Sequence, residues 1–190
     1  MIRLYAFLGN YGKEYGDNRH NVAWQFLSSL SLGGSLSWER KFKGKYASRD
    51  IAGQRIWFLM PETYMNNSGE SIADLLRFYR LEPGEVLAVH DDLELPFGTF
   101  GLKFSGGLGG HNGLRSMEKH LGTRDFARLR LGIGRPNHDD IAGYVLSDFR
   151  KEEKEILTFS VFPRAGQVLG ECIDIGFDDV KDKYKKVNCL

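Results

Sequence analysis

His20, in the run Arg19-His20-Asn21, and Asp91, in His90-Asp91-Asp92, are the residues of this chain best suited to acid–base chemistry. A histidine can take a proton from water near neutral pH. A carboxylate on its other ring nitrogen fixes the tautomer and favours proton uptake. Side-chain amides, offered by Asn10, Asn66 and Asn112, could then hold a polar substrate and stabilise a carbonyl oxygen as it becomes negative. Covalent catalysis finds no convincing nucleophile: there is no GxSxG motif, and Cys172 and Cys189 lie far along the chain from these motifs. Two other chemistries compete. His20, His90, Asp91, Asp92 and His111 are metal-ligating types, but neither HExxH nor CxxC spacing is present. The run Gly106 to Gly113, with five glycines in eight residues, could cradle phosphate, but it does not follow the GxxxxGK[ST] pattern.

These residues need elements to hold them. Ile2 to Leu8 reads as a strand that turns at Gly9-Asn10-Tyr11-Gly12 into a loop ending at His20-Asn21. A helix follows on Val22, Phe26 and Leu30, so His20 stands near its start, where the helix dipole disfavours an imidazolium. Trp38 to Ser48 and Gln54 to Met60 read as two strands, the first a solvated edge guarded by Arg40, Lys41, Lys43 and Lys45. Asn66, Asn67 and Ser68 are N-cap types ahead of a helix reaching Tyr79. Val86 to Val89 reads as a buried strand delivering His90-Asp91-Asp92 to a cleft. Alternation puts Asp91 and Asp92 on opposite faces, so one of them can share a site with His20. Phe97 to Phe104 and Phe126 to Ile133 are further strands, the second with Arg128 and Arg130 on one face and Leu129 and Leu131 on the other. Between them the glycine run leads into a helix over 112 to 121, whose unpaired N–H groups suit an anionic or carbonyl ligand. From Arg150 the pattern is helical. Pro163 breaks or kinks it, a helix follows over Ala165 to Ile175, and the charged segment Asp178 to Lys186 could lie across the cleft.

Strands and helices alternate without repeats or a linker, which predicts one α/β domain over residues 1–190, a mixed, mainly parallel sheet between helices. Apolar content of 42% and charged content of 27% are those of an ordinary globular protein. No apolar run approaches a membrane span, no signal peptide precedes the first strand, and two cysteines suit free thiols in a reducing cytosol. The net charge of +1 excludes a polycation, so any nucleic-acid contact must come from a local basic face.

Taken together, the motifs resemble bacterial peptidyl-tRNA hydrolase. The match rests on Gly9-Asn10-Tyr11-Gly12, Tyr15, Arg19-His20-Asn21, Thr63 to Gly69, His90-Asp91-Asp92-Leu93, Gly106 to Gly113, Arg128 to Gly134 and Gly143-Tyr144-Val145-Leu146. Each is weak alone, but their shared order and spacing is specific. The resemblance implies a three-layer α/β/α domain, usually a cytoplasmic monomer. It would cleave the ester joining a stalled peptide to its tRNA and need no metal or cofactor. It implies His20 as catalytic base, Asp91 as its support, and Asn10 as the group that tells a blocked from a free aminoacyl end. It implies Asn112 orienting water and contacting substrate, with Tyr15, Tyr64 and Asn66 in substrate or tRNA binding. Lys103 and Arg130 would clamp acceptor-end phosphates. Two positions depart from the family pattern: Tyr11 stands where proline is common, which would loosen the loop holding Asn10, and Leu108 interrupts the glycine run, which would alter the cleft wall. The rival readings are a non-catalytic RNA-binding protein on the same scaffold, as in some organellar splicing-factor relatives, and a metal-dependent esterase.

Overall fold

A computed structural model describes residues 1–31 and 35–190. Strand β1 (Leu4–Phe7) is buried at every position, the mark of a central strand covered on both faces. Two short 3-10 segments, Lys13–Tyr15 and Arg19–Asn21, lead from it to helix α1 (Val22–Ser29). Next comes an antiparallel ribbon of β2 (Glu39–Lys41), β3 (Gly44–Ile51) and β4 (Gln54–Pro61). The single strand expected over Trp38 to Ser48 is thus a hairpin. Phe42 and Lys43 adopt φ of 55° and 52°, the two-residue turn whose twist matches paired strands, without the Asn-Gly signature that would announce it. The charged strand β2 is exposed along its length at the sheet edge, as its lysines and arginines suggest.

After β4, the 3-10 turn Met65–Asn67 enters α2 (Ser68–Tyr79), and β5 (Val86–Asp92), β6 (Thr99–Phe104), α3 (Asn112–Leu121) and β7 (Ala127–Gly132) follow. Neither Asn66 nor Asn67 caps α2: the N-cap Asn67 makes no side-chain cap bond, and Ser68 instead donates to the Met65 carbonyl at 2.8 Å. Short α4 (Ile141–Val145) and α5 (Lys151–Ile156) precede α6 (Phe162–Glu171). Pro163 does not break the chain there. It stands at the second residue of α6, directly after a wider π turn over Leu157–Val161, and the helical run continues through it. Last come α7 (Phe177–Val180) and β8 (Val187–Asn188), which pairs antiparallel with β6. The segment expected to cover the cleft therefore lies along the outer edge of β6, where the Leu102 N–H donates to the Tyr184 carbonyl at 2.7 Å.

Among the described residues the sheet runs β2-β3-β4-β1-β5-β7-β6-β8. Its centre, β4-β1-β5-β7, is parallel, and both wings are antiparallel. The α/β class with a mixed sheet holds. One face packs Tyr5, Phe7, Leu87, Val89 and Leu129 against α1 and α6. The other packs Leu4, Ala6, Val86 and Ala88 against α2 and α3. Four parallel strands point their C-terminal ends the same way, so the loops after β1, β4 and β5 meet at one end of the sheet, where α/β proteins bind ligands. No described helix is long and apolar enough to cross a membrane.

Candidate active site

His20, from the loop after β1, and Asp91, from the end of the neighbouring parallel strand β5, meet at the same end of the sheet. Asp91, at the end of β5, faces the α1 side, and the His20 turn sits over it; both are buried. The His20 Nδ1–H reaches Asp91 Oδ1 and Oδ2, each at 2.9 Å. With Nδ1 so engaged, the lone pair lies on Nε2, which has no protein partner among the described residues, and the ring lines a cavity of about 630 Å³. Asp92 points the other way, toward Arg130 Nη1 at 3.5 Å, as alternation requires.

A second imidazole shares the carboxylate. His111 is the N-cap of α3, its Nδ1 accepting from the Gly113 and Leu114 N–H groups at 3.1 and 3.3 Å. Its hydrogen is therefore on Nε2, which donates to Asp91 Oδ1 at 2.7 Å. His90 donates from Nδ1 to the Asp91 carbonyl at 2.7 Å, and its buried Nε2 has no partner among the described residues. Arg128, expected on a polar face, is buried, and its guanidinium donates to the Gly107 and Gly106 carbonyls at 2.6 and 3.0 Å, pinning the glycine loop against β7. Leu108, also in the cavity wall, packs on the α2–α3 core.

Of the residues singled out from sequence, His20, Asp91, Asn112, Lys103 and Arg130 line the cavity. Asn112 is exposed at the first turn of α3, and Lys103 is exposed and has no ion pair among the described residues. Arg130 is less free: it pairs with Asp92 and donates to the Lys185 carbonyl at 3.2 Å. Asn10, Tyr15, Tyr64 and Asn66 stand on the adjoining β1 and β4 loops, outside that lining. Asn10 is nonetheless bound to the His20 turn. Its backbone N–H donates to Asn21 Oδ1 at 2.8 Å, and Asn21 Nδ2 donates back to its carbonyl at 2.9 Å. Asn10 Oδ1 accepts from the Met65 N–H at 2.7 Å, which leaves its Nδ2 hydrogens for a ligand. Tyr15 and Tyr64 pack edge to face at 6.4 Å, with Tyr64 60% exposed. The Tyr11 departure does not free this loop. Its N–H donates to the Thr63 carbonyl at 2.9 Å, a bond a proline could not make.

Sequence reasoning missed what fixes the His20 turn. Arg19 is buried between the rings of Tyr144 and Phe149, 4.7 and 4.8 Å from their centres. It donates to both Glu153 oxygens, at 3.2 and 2.9 Å. The motif Gly143-Tyr144-Val145-Leu146 and the start of α5 thus serve as a brace. Nothing local in the sequence signals it, since the partner of Arg19 lies 134 residues away.

Burial by itself would lower the affinity of His20 for a proton, but the Asp91 charge and hydrogen bond outweigh it, and the net shift is upward from 6.5. The same carboxylate also overrides the helix-start effect expected from sequence. Burial would raise the Asp91 pKa, yet the two imidazoles hold it well below the carboxylate range. His90 is pushed down to about 3 by burial and then by His111, so it is uncharged near neutrality. Ligand atoms of His20, Asp91 and His111 do lie within 4.8 Å of one another. The helix cap argues against a metal there. Metal on His111 Nε2 would require hydrogen on Nδ1, which faces two backbone N–H donors.

The arrangement is that of an α/β protein with a buried imidazole–carboxylate pair opening on a glycine-walled, partly basic cavity. The family profile described as peptidyl-tRNA hydrolase matches residues 4–189. The chain is 48% identical over 162 residues to the peptidyl-tRNA hydrolase of Azoarcus sp., covering 84% of this chain and 73% of that one. To that of Treponema pallidum it is 46% identical over 171 residues, covering 87% and 82%. The crystal structure of peptidyl-tRNA hydrolase from Acinetobacter baumannii is similar at a TM-score of 0.81 and 32% identity, over 97% of this chain and 96% of that one. The chain belongs to the peptidyl-tRNA hydrolase family, a family of ester hydrolases acting in translation.

Proposed function

We propose that this chain hydrolyses the ester between tRNA and an N-acylated aminoacyl group, with His20 as general base for water and no metal. The observation that carries the reading is the His20 ring itself: Nδ1 held by buried Asp91, Nε2 unpaired at the cavity. Water on Nε2 loses a proton as its oxygen attacks the ester carbonyl. The imidazolium that forms is stabilised by Asp91 and then returns the proton to the leaving ribose oxygen. Asn112, exposed at the first turn of α3 and lining the same cavity, orients that water or the carbonyl. Asn10 supplies selectivity by a donor count. Its Oδ1 is taken by Met65, so it offers only N–H groups, which suit the carbonyl of an acyl cap and find no acceptor on a free ammonium. Lys103 and Arg130 contact phosphate, and Tyr15, Tyr64 and Asn66 contact the peptide or the tRNA end. The protein works as a single cytoplasmic domain.

The test is release of an N-acetylated amino acid from its tRNA by wild type and His20→Ala, each with and without EDTA. Cleavage that persists in EDTA and falls about 100-fold or more in the variant is expected. Binding without cleavage by wild type would make the chain an RNA-binding module, and loss with EDTA would restore the metal.

A further inference from the structure

Asp91 serves two imidazoles, and they differ in freedom. His20 can gain and lose a proton at Nε2. His111 is tied at both ring nitrogens, to the α3 backbone through Nδ1 and to Asp91 Oδ1 through Nε2. The two rings lie 4.9 Å apart. We propose that His111 is a positioning residue that moderates the basicity of His20, drawing off part of the Asp91 charge through a donor whose tautomer the α3 N-terminus fixes. The proposal rests on the general-base reading of His20.

The physical argument concerns where the carboxylate's charge goes. Asp91 Oδ1 accepts from both rings, at 2.9 and 2.7 Å, whereas Oδ2 accepts from His20 alone. A donor on Oδ1 stabilises negative charge there and weakens its pull on a second proton. Without it, Asp91 would hold the His20 proton more firmly and leave less of the free base. Of the other charged groups at the cavity, Asp92 pairs with Arg130, Glu94 pairs with Arg135, and Lys103 is exposed. From β5 comes His90, uncharged near neutrality and bound to the Asp91 carbonyl. From β7 comes Arg128, whose pKa, though pulled down to about 10 by burial, leaves it charged and bound to loop carbonyls. From the His20 turn comes Arg19, paired with Glu153. None of them reaches Asp91 Oδ1. Because His111 also caps α3, the same contact holds the start of α3, and Asn112 with it, in register with the base.

His111→Ser keeps an N-cap oxygen but is too short to reach Asp91, and His111→Asn provides a second capped variant. The His20 Cε1–H is titrated by NMR, and the pH dependence of kcat/KM is measured on N-acetylated aminoacyl-tRNA. The inflection is expected to move up by roughly half a pH unit or more in both variants, with kcat/KM at pH 7 lowered by up to about threefold for each half unit of that rise. The same substitution in an Asp91→Asn background should move it far less, because a lost charge effect needs the charge, whereas mere hydration of the pocket would shift both backgrounds equally. An unchanged or lowered His20 inflection, or equal shifts in the two backgrounds, overturns the proposal. The NMR titration needs no turnover, so it decides the role of His111 even if wild type proves inactive and the hydrolase mechanism fails.

Discussion

At the scale of single residues, the site is a problem of hydrogen placement. Asp91 fixes the hydrogen of His20 on Nδ1, and the α3 backbone fixes that of His111 on Nε2. On the proposed mechanism His20 must be unprotonated to act, so hydrolysis should fall as pH drops through a His20 inflection lying above 6.5. Stability has the opposite sign. A histidine whose pKa is raised by folding adds stability below its unfolded value, and that contribution is lost as pH rises through the folded one. Asp91→Asn removes the counter-charge. It should move the activity inflection downward and lower kcat by about 100-fold or more with KM nearly kept, because an amide can set the wrong ring tautomer. A pH–rate profile that does not move would remove Asp91 from its supporting role.

At the scale of elements, two close contacts put the site together. The brace from Arg19 to Glu153 ties the His20 turn to α5, and the rings of Tyr144 and Phe149 enclose the guanidinium. On the other face α2 and α3 approach so closely at Gly69 that a Cβ there would lie 2.1 Å from the Ser116 carbonyl oxygen. The Gly69 N–H meanwhile donates to Ser116 Oγ at 2.9 Å. Gly69→Ala must push the helices apart, at a cost of about 1–3 kcal/mol and a Tm lowered by roughly 2–12 °C. Since α3 carries His111 and Asn112 at its start, kcat should fall as well. Unaltered thermal unfolding and turnover would show that the helices separate without strain and without moving the site.

For the whole molecule, a net charge of +1 leaves binding of a polyanion to local charge. Lys103 is exposed at the cavity and has no ion pair among the described residues, whereas Arg130 is already committed to Asp92 and the Lys185 carbonyl. Lys103→Ala should weaken tRNA binding and reduce the slope of log Kd against log salt by roughly 0.7–0.9, one phosphate contact. An unchanged slope would take Lys103 out of the phosphate clamp. The C-terminal segment adds an antiparallel strand to the sheet at β6, and the Cys189 N–H donates to the Gly98 carbonyl at 3.0 Å. It walls the outer edge of the basic region beside Lys103 and Arg130 and does not line the His20 cavity.

The sequence by itself determined the α/β alternation, the apolar run that makes β5 a central strand, and the separation of Asp91 from Asp92, because side-chain period and hydrophobic pattern are local properties. Its motifs also identified the family. The hairpin at Phe42-Lys43 and the first-turn place of Pro163 were not legible, since both depend on backbone conformations the neighbouring residues do not announce. Tertiary structure alone decided the hydrogen bonds around the site. His111 could have been a ligand, a cap or a packing residue until folding brought Asp91 to one nitrogen and two N–H groups to the other. Arg128 read as a polar-face cation and is a buried pin for the glycine loop. Arg19 needed Glu153, and Asn10 needed Met65, before either had a defined role. Residue type sets which hydrogen bonds a side chain can make, but only the fold brings partners from distant parts of the chain within reach and so determines which of them form.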